Sequence, residues 1–152
     1  MAKKPTPLWI VAMVVLCLAM SGRGYGFDQN QFNRLIATRQ CPGCDLVNAG
    51  LAGTNLSGAN LAGANLAGAD LSGANLTEAD LSKANLSGTY FNDAYLVSAK
   101  MTGANLAGAK MFSAILIGAD LSGANLTGAK LSGTLWVDAK QCSRSSVSEC
   151  KE

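Results

Sequence analysis

Between Cys44 and Asp138 the chain places one large apolar residue at every fifth position without a gap. With that residue as centre i, the centres run Leu46, Leu51, Leu56 and onward to Trp136. Of the 19 centres 15 are Leu, and the others are Phe91, Met101, Met111 and Trp136. Position i−2 is Ala in 15 units, with Cys44, Thr54, Thr89 and Thr134 as the exceptions. Position i−1 is Asn or Asp in 11 units, and position i+2 is Gly in 12. A period of five fits neither a helix, which returns about every 3.6 residues, nor a flat strand, which returns about every 2. One helix would smear the leucines around its whole circumference. The backbone must therefore turn once per unit, and each unit supplies one short face of a coil. Positions i−2 and i, small or apolar throughout, point inward; i−1, i+1 and i+2 point outward. Glycine near the corner gives the backbone the freedom a tight turn needs.

Runs such as Ala64-Asn65-Leu66-Ala67-Gly68 and Ala69-Asp70-Leu71-Ser72-Gly73 resemble the pentapeptide-repeat family, whose pattern is A-(D/N)-L-x-x. The resemblance covers 95 of 152 residues. It implies an all-β solenoid, a right-handed quadrilateral β-helix with four units per coil. The 19 units then make about five coils, a rod only ~24 Å long at the usual strand spacing of about 4.8 Å. Its interior is a stack of Leu lined by Ala. Burying each Leu is worth ~1.5–3 kcal/mol, most of which offsets chain entropy.

The segment ahead of the repeat divides in two. Residues 1–26 read as a signal peptide. Lys3 and Lys4 give a basic start, and an uncharged apolar run extends from Leu8 to Met20. That is short for a bilayer span, which needs about 20 residues. Gly24 and Gly26 suit cleavage before Phe27, and Ala19 and Ser21 offer an earlier site. The alternative is an uncleaved anchor. Cys17 follows Leu16 and makes a poor lipoprotein cysteine. Removing residues 1–26 takes Lys+Arg from 12 to 9 while Asp+Glu stays at 10, so the net charge moves from +2 to −1. No basic footprint for nucleic acid remains. Localisation is expected to be periplasmic or secreted, with membrane contact only during export.

A rod of stacked coils leaves backbone and core exposed at both ends and needs caps. Residues 27–40 read as a short amphipathic helix with Asp28 as N-cap and Phe32, Leu35 and Ile36 on one face. Residues 27–43 are thus a capping helix and CPGC turn, 44–138 the β-helix, and 139–152 a C-terminal cap. Four cysteines remain after the leader: Cys41, Cys44, Cys142 and Cys150. On the layout the resemblance implies, the rod keeps the two pairs further apart than the ~7 Å a disulfide allows. The expected bridges are therefore Cys41–Cys44 and Cys142–Cys150. Cys41-Pro42-Gly43-Cys44 also matches the C-x-x-C redox motif. Redox cysteines sit at a helix N-terminus, whereas this motif follows the predicted helix at its negative end. A structural bridge, a redox pair, and free or metal-bound thiols all stay open. Zinc would need two more ligands, and the chain has no histidine.

With four units per coil, residues four units apart stack in columns. Asn65, Asn85, Asn105 and Asn125 form a polar column able to hydrogen-bond along the stack, and Asn60, Asp80, Lys100 and Asp120 form a mixed one. One face departs from the pattern. Its i−1 column reads Asn55, Asn75, Tyr95, Ile115, Leu135, and its i+1 column Ser57, Thr77, Val97, Ile117, Val137. Both turn apolar at the third coil, and Tyr90 and Phe112 adjoin on the neighbouring face. Such a patch on a soluble protein usually marks a contact. Its candidate occupants are the C-terminal tail, a second copy of the chain, a foreign protein or a small molecule.

Catalysis finds no support: there is no histidine, no nucleophile–base pair and no metal-ligand cluster. No catalytic, cofactor-binding or metal-binding residue is expected. The expected function is a non-catalytic structural or protein-interaction module of the envelope or periplasm, with an unknown protein or a homodimer as partner and no nucleic acid. Two alternatives come from other classes. One is a redox or stress protein using the CPGC cysteines. The other is a DNA-mimicking, topoisomerase-binding protein, as some members of the resembling family are. This chain departs from those members in having a leader, few coils, little net charge and cysteine-bearing ends.

A narrow coil has no room for a second large side chain at i−2. Ala104→Leu should therefore overpack and cost about 1–3 kcal/mol, read as a lower urea midpoint. A variant as stable as the wild type would count against the coil.

Overall fold

Why a five-residue period is self-consistent shows in the hydrogen bonds of a single unit. In the computed structural model of the chain, which describes residues 26–138, the unit Ala64–Gly68 satisfies all five of its N–H groups. Ala64 N–H closes a turn onto Leu61 O at 3.0 Å. Asn65 N–H donates back to Cys44 O at 2.8 Å, while Leu66 and Gly68 N–H donate forward to Asn85 O and Ser87 O at 2.8 and 2.9 Å. The fifth, Ala67 N–H, is taken by the side chain of Asn65 at Oδ1, 3.4 Å away. The same side-chain bond recurs at Asn60, Asp70, Asn75, Asp80, Asn85, Asn105, Asp120 and Asn125. This explains the preference for Asn or Asp at i−1. Only a short side-chain carbonyl reaches the N–H two residues on, the geometry of an Asx turn.

Isolated parallel bridges join described residues from Gln40↔Asn60 to Ile115↔Leu135, each linking positions exactly four units apart in the chain. Four units therefore complete one coil, as the family resemblance implies. The β character is confined to these single-residue bridges, with no longer strand among the described residues, because a turn at every unit leaves no room for more. In the turn, the N–H of i+3 reaches the carbonyl of i and residue i+2 has positive φ, the signature of a type II turn. Gly63 has φ 67°, and the non-glycine residues at this position, such as Glu78 and Lys83, adopt 59° and 58°.

Inward positions behave as the pattern demands. The leucines at the unit centres from Leu46 to Leu116 and the alanines at i−2 between them are buried, together with Phe91, Met101 and Met111. Leu121 and Leu126, in the last described coil, are partly buried. Thr89 and Thr134 occupy Ala positions at no cost in unpaired hydroxyls, since each donates to a main-chain carbonyl, Leu66 O at 2.8 Å and Met111 O at 2.6 Å. The Asn column forms a continuous ladder. Asn125, Asn105 and Asn85 each donate Nδ2 to the Oδ1 of the asparagine one coil earlier, at 3.0–3.3 Å, and Asn65 donates to Asp45 Oδ1 at 3.4 Å.

Ahead of the coils lies helix α1, Gln29–Thr38. Asp28 caps it, accepting from the N–H groups of Asn30 and Gln31, and Arg39 closes it in the left-handed conformation. Leu35 is fully buried and Phe27 and Phe32 pack on the core, their rings 5.1 Å apart. Ile36 does not share that face. It is exposed, because Leu35 already meets the first coil and one residue is about 100° around the helix. Gln31 Oε1 accepts Asp45 N–H at 2.6 Å, and Asp28 N–H reaches Asp45 O at 3.3 Å. In later coils the N–H at this position bonds to a preceding coil, and here α1 supplies the partner.

The bonding pattern also starts one unit before Cys44. Gln40 bridges Asn60, Cys41 N–H donates to Asn60 O, Gly43 N–H to Ala62 O, and Cys44 N–H closes the turn onto Cys41 O. The CPGC segment, expected as a turn outside the solenoid, thus carries the bonds of a unit with Cys41 in the Leu position. The sequence concealed it because neither Cys41 nor Arg39 matches the repeat. The expected leader, the cap at 139–152, and Cys142 and Cys150 lie outside the described residues.

Two carboxylates tie the turn chemistry to pH. Asp80 is held below its ordinary value of 3.8, first by the main-chain N–H of Ser82 and then by its hydroxyl, with Lys100 adding to the effect. Asp120 is lowered by the Ser122 hydroxyl, then its N–H, then the Thr102 hydroxyl. A depressed carboxyl stabilises the fold above its unfolded-state pKa and loses that contribution as pH falls through the lower folded-state value. Asp80→Asn with Asp120→Asn keeps the turn bond at every pH. It should flatten the loss of urea stability between neutral pH and about pH 2. A second variant pair separates backbone strain from packing, because an added Cβ meets nothing within 4 Å at either Gly63 or Gly50. Gly63→Ala should cost about 1–2 kcal/mol in thermal or urea unfolding, while Gly50→Ala, free of positive φ, should be neutral or slightly stabilising.

Candidate interaction face and groove

The four-unit register decides which outward residues meet. Bridges link Asn75 to Tyr95, Tyr95 to Ile115 and Ile115 to Leu135, so these i−1 residues form one column. Beside it runs the i+1 column, whose carbonyls at Val97, Ile117 and Val137 accept from Glu78, Ser98 and Gly118. The structure therefore brings Tyr95, Ile115, Leu135, Val97, Ile117 and Val137 onto one face. Tyr90 and Phe112 lie on the adjacent face. Tyr95 is 50% exposed, Phe112 42%, Tyr90 38% and Ile117 37%, exposures uncommon for such large side chains in a chain whose other apolar residues are mostly inside. Val97, Ile115 and Leu135 are half-buried, and Val137 packs against the core edge.

The flank of this face carries charge. Tyr90, Lys110 and Lys130 are bridged in one column. The Lys110 ammonium sits 4.1 Å from the centre of the Tyr90 ring, a cation–π contact that holds both side chains against the surface.

Toward the N-terminal coils the same face changes character. Tyr95 closes one end of a shallow, open groove of about 310 Å³ lined by Gly53, Gly73, Asn55, Asn75 and Thr77 with Thr54. Sequence reasoning missed this groove. The signal was there in the i+2 column, where Gly53 and Gly73 are followed by Asp93, so two coils lack a side chain at the corner that the third supplies.

The four site cysteines divide. Cys41 and Cys44 are joined in a disulfide, with Cα atoms 5.4 Å apart. The spacing follows from the coil: positions i and i−2 of the next unit flank one corner and both point inward. Both residues are buried, and they follow the C-terminal end of α1 rather than opening a helix. Among the described residues no group of three or more His, Cys, Asp or Glu is placed to hold a metal ion, and no helix is long and apolar enough to cross a membrane.

Comparison with known proteins places this geometry. The sequence model of the Pentapeptide repeats family matches eight copies, over residues 44–82, 74–111 and 104–135, more than half of the chain. The chain is a pentapeptide repeat protein. That family's fold is the right-handed quadrilateral β-helix. Among solved structures, trypsin-treated QnrB1, a plasmid-mediated fluoroquinolone resistance protein, aligns with a TM-score of 0.53 at 22% identity, over 72% of this chain and 51% of that one. At that identity the likeness concerns the fold. A pentapeptide repeat protein from the thylakoid lumen of Arabidopsis thaliana is 36% identical over 62% of this chain, with a TM-score of 0.48. The match spans 63% of that protein's length, less than two thirds of it. A pentapeptide repeat protein from Nostoc is 31% identical over 70% of this chain and 81% of its own, with a TM-score of 0.43. Among curated protein sequences nothing matches.

Proposed function

We propose that this pentapeptide repeat protein is an exported, non-catalytic interaction module of the cell envelope, and that it recognises a protein surface through the face centred on Tyr95, Ile115 and Leu135. One observation carries the reading. The register places six apolar outward residues in two adjacent columns, with Tyr90 and Phe112 beside them, on a rod whose other outward positions are mostly Asn, Ser, Thr, Gly, Ala or charged. Contiguous apolar surface of this kind is a docking feature. The occupant is a foreign protein or a second copy of this chain.

On this reading the rod has about five coils. Helix α1 is its N-terminal lid, which the Gln31–Asp45 bond and the buried Leu35 support. Residues 139–152, closed by Cys142–Cys150, form the other lid. Export rests on the basic and apolar character of residues 1–26 and on the oxidised Cys41–Cys44 pair, since disulfides persist in oxidising compartments.

Two measurements check these statements. Intact mass of the natively expressed protein should match loss of the leader, with no alkylation before reduction and four alkylated cysteines after it. A full-length mass with free thiols would overturn export and the second bridge together. The double variant Tyr95→Ser and Ile115→Ser should keep the far-UV spectrum and the melting temperature within a few degrees. It should lose the oligomer or the captured partner that the wild type shows. If oligomeric state and captured proteins are the same in both, the contact face is wrong.

A further inference from the structure

The groove N-terminal to that face has a different chemistry, and the contact-face reading neither needs it nor explains it. We infer that it is a binding site for a neutral, hydroxyl-rich chain, an oligosaccharide. Its shape comes from missing side chains. Gly53 and Gly73 stack at one corner of consecutive coils and an added Cβ at either would meet nothing within 4 Å, so the corner is open space. Asn55 and Asn75 form the wall, and the half-exposed ring of Tyr95 closes the end.

The polar groups there are unevenly committed. Asn55 and Asn75 each use Oδ1 to accept a main-chain N–H, from Ser57 at 3.2 Å and Thr77 at 3.0 Å. What each leaves outward is the Nδ2 group, a pair of donors. In the Asn65–Asn125 ladder those donors are consumed by the asparagine one coil earlier. No such bond joins Asn75 to Asn55 among the described residues. The lining holds no charged side chain, and the corner column continues into the Asp93 carboxylate, which disfavours phosphate and carboxylate ligands. Two amide donors about one coil apart, ~4.8 Å, beside the Thr77 hydroxyl and an exposed aromatic ring, fit a pyranose. Its hydroxyl edge accepts and its C–H face stacks on Tyr95. An extended peptide fits less well, because strand addition needs a free main-chain edge, and here the N–H groups of Gly53, Gly73 and Asn75 are already bonded between coils.

The test is an amide NMR titration of the isotope-labelled protein with maltotetraose, cellotetraose and the neutral peptide Ser-Gly-Ser-Gly. Saturable shifts confined to Gly53, Gly73, Asn75 and Tyr95 are expected with at least one sugar, at an affinity on the order of a millimolar. Asn75→Asp retains the turn acceptor, as Asp70 and Asp80 do at the same repeat position, and replaces the amide donor with a charged acceptor oxygen. It should weaken binding at least about tenfold, and Tyr95→Ser should abolish it. Asn60→Asp, at the same repeat position on another face, should leave it unchanged. Ile115→Ser should also leave it unchanged, which separates this site from the contact face. Absence of saturable shifts with both sugars overturns the inference. So does saturation by the peptide alone, or sugar binding that survives both Asn75→Asp and Tyr95→Ser at unchanged affinity.

Discussion

Every other feature of this molecule depends on one constraint: the main chain must meet itself after every fourth unit. Leu46 N–H to Asn65 O and Asn65 N–H to Cys44 O are the two strokes of that contact, at 2.7 and 2.8 Å. Their repetition down the rod leaves no freedom in unit length. An inserted or deleted residue would rotate every later side chain out of its column and turn leucines toward water. This is why the composition is so narrow. Leu fills the interior, Ala lines it, Asn or Asp closes the turn, and a residue able to tolerate positive φ sits at the corner. Each rung is stable mainly through its neighbours, as in other one-dimensional repeat folds.

Most of that scheme could be read from the residues. Inward and outward positions and Asp28 as N-cap follow from period, volume and reach; the four-unit coil, and with it the Asn column, came from the family resemblance, and the Cys41–Cys44 bridge was one of several readings the residues left open. What could not be read depended on exceptions to the period. The unit around Cys41 has Arg39 at its Ala position and Cys41 at its Leu position, so no pattern search starts there. Ile36 looked like a core residue because helical spacing places it beside Phe32, yet Leu35 and Phe32 meet the core and Ile36 is left exposed. Nothing in the repeat pattern marked Gln31, whose side-chain carbonyl accepts the Asp45 N–H where later coils use a main-chain carbonyl. The role of Asn at i−1 was legible as polarity but not as geometry, since only the path of the turn reveals that Oδ1 is needed two residues on.

The two candidate sites follow the same logic of departure. A regular rod presents the same surface at every height, so recognition must come from positions that break the repeat. Tyr95, Ile115 and Leu135 break it by being large and apolar where Asn is the rule. Gly53 and Gly73 obey it, and line a groove together with Tyr95 of the next coil, which does not. Tyr95 stands where the polar half of the face ends and the apolar half begins.

The asparagine ladder has a further property. Each Oδ1 is pinned by a main-chain N–H, which fixes the amide orientation and sends every Nδ2 toward the N-terminal end. Main-chain rungs run in both directions, two forward and one back in each unit. The side-chain amides of Asn65, Asn85, Asn105 and Asn125 do not; they add head to tail and polarise one another. This column of side-chain amides is thus vectorial, with its donor end meeting the carboxylate of Asp45. Asp is suited to that terminal position for the same reason that anions suit the start of a helix: it is the charge that the aligned dipoles call for.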